Sequence, residues 1–235
     1  MSSIEGPEIK RAIAEHISPK IINNEDHSWR ISVYLDDFDY RIAQRGLTHG
    51  SQTTKLRVKR YYLLNKAEPH YDDICWLEVK SRAGSMVEKS RFTIPHSEVL
   101  STLENGPTIS TEPERRASQE SFESVREGRK LRPLFIAHYC RWTFQDTRAS
   151  LRITLDNNVS FHLPPKNIFT AQVPICSRAY LPPPLVAEHR WIMEIKSVGL
   201  TPKWVAKILG DHVPNDYSKF VSGVNAVAAL GIIKK

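Results

Sequence analysis

Basic side chains recur at alternate positions in a series of short, otherwise apolar segments of this sequence. In KLRVKRYY, Arg57 and Lys59 fall on one side of an extended chain and Leu56 and Val58 on the other, with Lys55 behind the two cations, because strand side chains alternate with a period of two. The same alternation sets Glu78 and Lys80 opposite Leu77 and Val79, and pairs Lys89 with Arg91. It also isolates Arg141, lines up Arg152 with Thr154 and Asp156, and joins Glu194 to Lys196 opposite Met193 and Ile195. A solvated sheet face would explain simple alternation, but such faces interleave signs, and here Arg and Lys outnumber the acids. Like charges about 4 Å apart repel by roughly 4 kcal/mol at an effective dielectric near 20. Cations gathered in this way call for an anion among them.

Composition supports a folded chain with an anionic partner. The 235 residues are 40% hydrophobic with five Trp, enough for a sizeable core. The formal charge of +7 points to nucleic acid, polyphosphate, nucleotides or acidic headgroups. Cys75, Cys140 and Cys176 show neither CxxC nor zinc-ribbon spacing, so reduced thiols in a cytoplasmic protein are expected. The N-terminus has no apolar signal region and no run is long enough to cross a membrane, so neither secretion nor membrane insertion is expected. The histidines lack HExxH spacing, and no GKS/T follows GLTHG or RAGS to make a phosphate loop.

The elements that must position the cations follow from pattern. Residues 8–24 read as a short opening strand or turn running into an amphipathic helix, and 29–37 as a strand followed by a glycine-bearing loop in DYRIAQRGLTHG. Further strands are expected at TTKLRVKRYYLL, DICWLEVKSRAG and MVEKSRFTIP, the first two joined through the polar 65–72, and a short helix at HSEVLSTLENG. Residues 107–130 read as a polar surface excursion, part helix and part loop. PLFIAHYCRWTF and ASLRITLDNNVSFHL read as a hairpin, EHRWIMEIKSVG as another strand, and two helical segments close the chain, with Thr201 and Pro202 as cap and first-turn proline. The expected architecture is α+β, mainly antiparallel β: one domain over 1–235, closed into a β-barrel that turns the cations into a tunnel, with helices packed outside.

These segments resemble, in order, the vacuolar transporter chaperone (VTC) catalytic domain of polyphosphate polymerases, within the triphosphate tunnel metalloenzymes. SVYLDDFDYR is similar to the family's Tyr-Phe-Asp-Thr segment, with Leu35 and Asp37 departing from it. KLRVKRYY is similar to its Lys-x-Arg-x-Arg-x-Tyr strand, with Lys59 in place of the second arginine. LEVK followed by Lys89, HYCRWTF, LRITLD, MEIK, TPKWV and SKF continue the match. EIK at Glu8 and Lys10 stands where the family has an N-terminal Glu-x-Lys strand.

The resemblance implies transfer of the terminal phosphoryl group of ATP to a growing polyphosphate chain with Mn²⁺ or Mg²⁺. Such a reaction needs in-line positioning and neutralisation of nonbridging oxygens more than covalent help. Arg57, Arg141 and Arg152 are the expected phosphate clamps, because a guanidinium fork binds two oxygens. Lys59, Lys80 and Lys196 are expected to act beside them as point charges, with Lys10, Lys89, Ser218 and Lys219 as further phosphate-binding groups. Lys219 is read as following a helix and closing one mouth of the tunnel. Glu194 is the expected metal ligand, and Glu78 is read as a charge balance. Tyr61, Tyr139, Trp204 and Phe220 are read as packing. The alternatives are a triphosphatase of the same superfamily and a noncatalytic module binding polyphosphate or inositol phosphate. Nucleic acid is not expected, since aromatic side chains are not interleaved with the basic ones as stacking platforms. The sequence leaves the oligomeric state open.

Overall fold

The computed structural model describes residues 5–22, 24–48, 52–63, 70–71, 73–84, 86–148, 150–170, 181–210, 212 and 217–233. The strands are β1 (His27–Asp36), β2 (Gln52–Leu63), β3 (His70–Tyr71), β4 (Ile74–Ala83), β5 (Met86–Pro95), β6 (Arg132–Asp146), β7 (Leu151–His162), β8 (Val186–Glu188) and β9 (Ile192–Ser197). The helices are α1 (Glu5–Ala14), α2 (Arg41–Thr48), α3 (Val99–Asn105), α4 (Pro113–Arg126), α5 (Lys203–Leu209) and α6 (Lys219–Ala228). Cys176, most of the 65–72 connection and the Tyr61 side chain lie outside the described residues; Cys75 and Cys140 are free and buried.

The sheet is open, and this corrects the expected closed barrel. Its hydrogen-bonded order is β5-β4-β2-β1-β6-β7-β8, with β3 beside β2 and β9 beside β7. No pairing among the described residues joins β5 to the opposite end. The two ends explain why. Along β5, Met86, Val87, Glu88 and Lys89 are exposed, and charged side chains discourage further strand pairing. One of its carbonyls, that of Thr93, accepts a hydrogen bond from the Arg115 guanidinium of α4 at 2.8 Å. At the other end β8 has only three residues.

The chain divides into two compact units, Met1–Trp29 with Tyr139–Ser160 and Ala187–Tyr217, and Arg30–His138 with Phe161–Val186 and Ser218–Lys235. In the second unit, β2, β4 and β5 pair antiparallel. Their apolar side presents buried Leu56, Val58, Leu77, Val79 and Phe92. Phe122 of α4 meets Phe92 edge to face at 5.8 Å. The 107–130 excursion is thus mostly an ordered helix: Pro113 opens it, Phe122 is fully buried, and Glu127 ends it in a left-handed turn. DYRIAQRGLTHG supplies α2 where a loop was expected, because the Asp36 carboxylate accepts the backbone N–H groups of Ile42 and Ala43 at 3.0 and 2.8 Å. Burial pushes the Asp36 carboxyl up to about 6 against the pull of those hydrogen bonds.

Helix α6 begins at Lys219 with Ser218 as its cap, the Ser218 Oγ accepting from the Val221 N–H. Lys219 therefore opens a helix and does not follow one. Gly223 lets α6 approach Phe135, since a Cβ there would lie 2.1 Å from the ring. Gly223→Ala is expected to destabilise the fold: overpacking costs roughly 1–3 kcal/mol, against a gain of about 1 kcal/mol in helix propensity. A lowered urea midpoint at unchanged slope is the check.

In the first unit, α1 begins at Glu5, so Glu8 and Lys10 are helical and do not form the expected opening strand. Ile9, Ile13 and Ile17 recur at helical spacing and pack with Phe144, Leu151, Ile153, Leu155, Trp191 and Val205. Gly6 admits the Trp191 ring, which a Cβ would meet at 2.2 Å. Pro202, and not Thr201, is the residue preceding α5, and no side-chain hydrogen bond caps that helix.

Candidate functional site

In the second unit the register carries the charged positions of three strands onto one face. Lys55 lies opposite Lys80 and Lys80 opposite Lys89; the next rows are Arg57, Glu78 and Arg91, then Lys59, Trp76 and Thr93. Directly paired residues share a side of the sheet, so these cations surround a single carboxylate. Glu78 is only 1% exposed and Lys59 5%, so these rows are buried at Lys59 and Glu78, while Lys89 and Arg91 of β5 are exposed.

Arg57 places both Nε (2.8 Å) and an Nη (2.7 Å) on Glu78 Oε2. Its other Nη donates to the Tyr34 hydroxyl at 3.3 Å. Lys59 Nζ stands 3.7 Å from Oε2, and Lys89 Nζ 3.0 Å from Oε1. Burial opposes ionisation of Glu78, but Arg57, Lys59 and Lys89 prevail and hold its carboxyl near 2. A carboxylate fixed on one edge of a guanidinium aims the opposite edge, which is how a binding fork is held ready. The sequence reading of Glu78 as a charge balance agrees with this geometry.

Tyr34 stacks on Phe135 at 4.6 Å, and both lie near Phe220 of α6, at 5.6 and 6.2 Å. Phe220 is packing, as the sequence suggested. Ser218 reaches the cationic face through Lys55, whose Nζ donates to its Oγ at 2.9 Å. Lys55 was noticed in the sequence and assigned no role. Its burial, with Lys80, Arg57 and Arg82 nearby, brings its ammonium down to about 8.

The first unit gathers the remaining candidates. Arg141 grips Asp156 with Nε and an Nη, at 2.5 and 2.6 Å, and its guanidinium stands 5.3 Å from the Tyr139 ring. Burial works against the charge on Arg141, yet Tyr139, Asp156 and Glu194 hold it more firmly protonated than usual. Asp156 is 2% exposed and fixes one edge of Arg141 as Glu78 fixes one edge of Arg57. Between β7 and β9, Arg152 lies opposite Lys196 and Thr154 opposite Glu194. Arg152 and Lys196 line an open groove of about 500 Å³, together with Asp146, Leu151 and Val198. Lys10 is held by Asp26 at 2.6 Å and lies over the Trp142 ring at 4.9 Å. Its charge is therefore paired with Asp26.

With this geometry in view, family comparison is decisive: a family model described as the VTC domain matches residues 3–228. The chain belongs to the VTC domain family. No curated protein matches it. Among solved structures, a candidate adenylate cyclase from Bacillus halodurans has TM-score 0.40 and 15% identity, covering 66% of this chain and 67% of that one. Another from Vibrio parahaemolyticus has TM-score 0.34 and 13% identity, covering 64% and 61%. The PH1819 protein of Pyrococcus horikoshii has TM-score 0.39 and 9% identity, covering 97% and 86%. The VTC domain lies in the triphosphate tunnel metalloenzyme superfamily, whose members are generally phosphoryl-transfer enzymes that use divalent cations and bind nucleoside triphosphates and polyphosphates.

The acidic groups differ in their fitness for a cation. Glu78 and Asp156 are buried and clasped by arginines. Glu194 has a side chain 47% exposed, with Lys196 Nζ at 3.4 Å. A hard divalent ion takes a single protein carboxylate with phosphate oxygens and water, and Glu194 offers that donor on the same face as Arg152 and Lys196. Glu25, Asp26 and His27 also cluster, but Asp26 already accepts from Lys10 and from Trp142 Nε1 at 3.2 Å. No helix of the described residues is long and apolar enough to cross a membrane.

Proposed function

We propose that this VTC domain is a polyphosphate polymerase, in which the β–γ bridge of ATP breaks, the terminal phosphoryl group joins the end oxygen of a polyphosphate chain, and ADP leaves. The observation that carries this reading is the cationic face of β2, β4 and β5 built around one buried carboxylate. Its excess positive charge suits a chain of phosphates, and family membership supplies the class of reaction.

Arg57, Arg141 and Arg152 are assigned to nonbridging oxygens, whose charge must be neutralised as the phosphoryl group moves. Lys80, Lys89 and Lys196 add point charges. Lys59, buried against Glu78, contributes field to the same face, and Ser218 with Lys219 borders it at the start of α6. Glu194 would hold Mn²⁺ or Mg²⁺, which when bound offsets charge on the phosphate oxygens. Residues 1–235 are assigned to one catalytic domain, and the buried thiols Cys75 and Cys140 suit a cytoplasmic location.

Incubation of the purified chain with ATP and Mn²⁺, followed by gel electrophoresis, is expected to yield a ladder of polyphosphate. Orthophosphate alone would assign a triphosphatase and overturn the polymerase reading. Tight tripolyphosphate binding without ATP consumption would assign a binding module.

A further inference from the structure

The row Lys55–Lys80–Lys89 is made of three lysines with no carboxylate in it, between the Arg57–Glu78–Arg91 row and the Thr53–Arg82–Val87 row. One row along, Glu78 draws Arg57 and Lys59 to itself, and Lys89 reaches across to its Oε1 at 3.0 Å. Lys55 has a neutral partner, the Ser218 hydroxyl, and lies 5.5 Å from the Phe220 ring. The Ser218 Oγ already accepts from Lys55 and from the Val221 N–H, so both lone pairs are engaged and its own O–H is left to donate.

We infer that Lys55 is a phosphate-binding residue of the anion site, and that it takes up a proton as a polyphosphate group settles on the Lys55–Lys80–Lys89 row. This deepens the proposed function and rests on its premise that the face binds polyphosphate.

The groups around Lys55 set the sign. Facing it are Lys80 and Arg82 from β4, Arg57 from its own strand, Lys89 one strand further, and Ser218 from α6, with Lys219 next in the chain. Tyr34 on β1 reaches Arg57. Glu78 is the acid of this face, and it is turned to Arg57, Lys59 and Lys89. The helices α2 and α6, which pack together with α2 also on β2, have no Asp or Glu in their sequences. Desolvation and like charge therefore both favour neutral Lys55 before the ligand arrives, consistent with an ammonium brought down to about 8. A phosphate among the three lysines reverses the electrostatic contribution. Linkage then requires proton uptake on binding wherever Lys55 is partly neutral.

The test is calorimetric titration of the full chain with tripolyphosphate at pH 8.5, in two buffers of different ionisation enthalpy. The wild type is expected to take up a substantial fraction of a proton per ligand. Lys55→Arg, always charged, is expected to retain binding within a few-fold and to lose most of the uptake. Lys55→Met is expected to lose both uptake and at least tenfold in affinity, with circular dichroism confirming that it folds. Equal uptake by wild type and Lys55→Arg would overturn the inference while leaving the anion site standing, as would wild-type binding without uptake. Absence of tripolyphosphate binding by the wild type would overturn the inference and the proposed function together.

Discussion

Glu194→Gln is expected to lower ATP turnover roughly a hundredfold or more, since a bound cation contributes several kcal/mol of charge stabilisation and each 1.4 kcal/mol is tenfold in rate. Binding should respond in the opposite sense. Glu194 lies on the β9 face opposite Thr154, one row from Arg152 and Lys196, so its removal takes a negative charge from beside two cations proposed to bind phosphate. Affinity for tripolyphosphate in the absence of divalent ions should stay equal or rise, while the Mn²⁺ concentration needed for half-maximal rate should climb. The substitution changes a half-exposed side chain, so the thermal midpoint should hardly move. Parallel loss of turnover and metal-free binding would show that Glu194 organises the phosphate-binding groups and would remove it from the metal assignment.

Glu78→Gln should produce the largest loss of stability, about 3–5 kcal/mol, as expected when one member of a buried ion cluster is removed. The variant leaves Arg57, Lys59 and Lys89 without the carboxylate that now holds them. Its pH dependence supplies a second signature. The Glu78 carboxyl lies near 2 in the folded chain and near 4.5 when unperturbed. The stabilisation from this shift is therefore fully present above pH 4.5 and is lost as pH falls towards 2. The shift corresponds to roughly 3 kcal/mol by the usual 1.4 kcal/mol per unit. Urea denaturation between pH 6 and pH 2.5 should show a steeper decline for the wild type than for Glu78→Gln, the two curves converging at the acid end. Tripolyphosphate should restore part of the variant's stability at neutral pH by supplying negative charge to the same cations. A constant gap between the curves across the whole range would refute the assigned ion cluster.

The carboxylate–arginine pairs give these two experiments a common logic. Glu78 and Asp156 are buried and each occupies one edge of a guanidinium; Glu194 is half-exposed, with Lys196 Nζ 3.4 Å away. Removing a buried carboxylate should disturb the fold, whereas removing Glu194 should disturb the chemistry.

Much of this arrangement was legible in the sequence. Alternation in LRVK, LEVK, LRITL and MEIK was enough to sort Arg57, Glu78, Arg152 and Glu194 onto charged faces, because the period of an extended chain is a local property of the backbone. The ordered motifs were enough to indicate the VTC domain. Helix α2 escaped notice because Gly46 and Gly50 stand close together in the sequence and read as a loop, while the Asp36 cap that starts it sits at the end of the preceding strand. The Glu8–Lys10 segment was misread because three residues of alternating character fit a strand or one turn of helix equally well, and only the burial of Ile9, Ile13 and Ile17 along one stripe selects the helix. Tertiary structure alone decided that the sheet stays open, since closure depends on whether distant edges find backbone partners, and a helix guanidinium on Thr93 and a three-residue β8 answer that at the two ends. It also decided that Lys55 meets Ser218, 163 positions away, and that Glu78 rather than solvent balances the cations beside it. Pairing register and burial set which charges meet, and both arise from contacts between segments far apart in the chain.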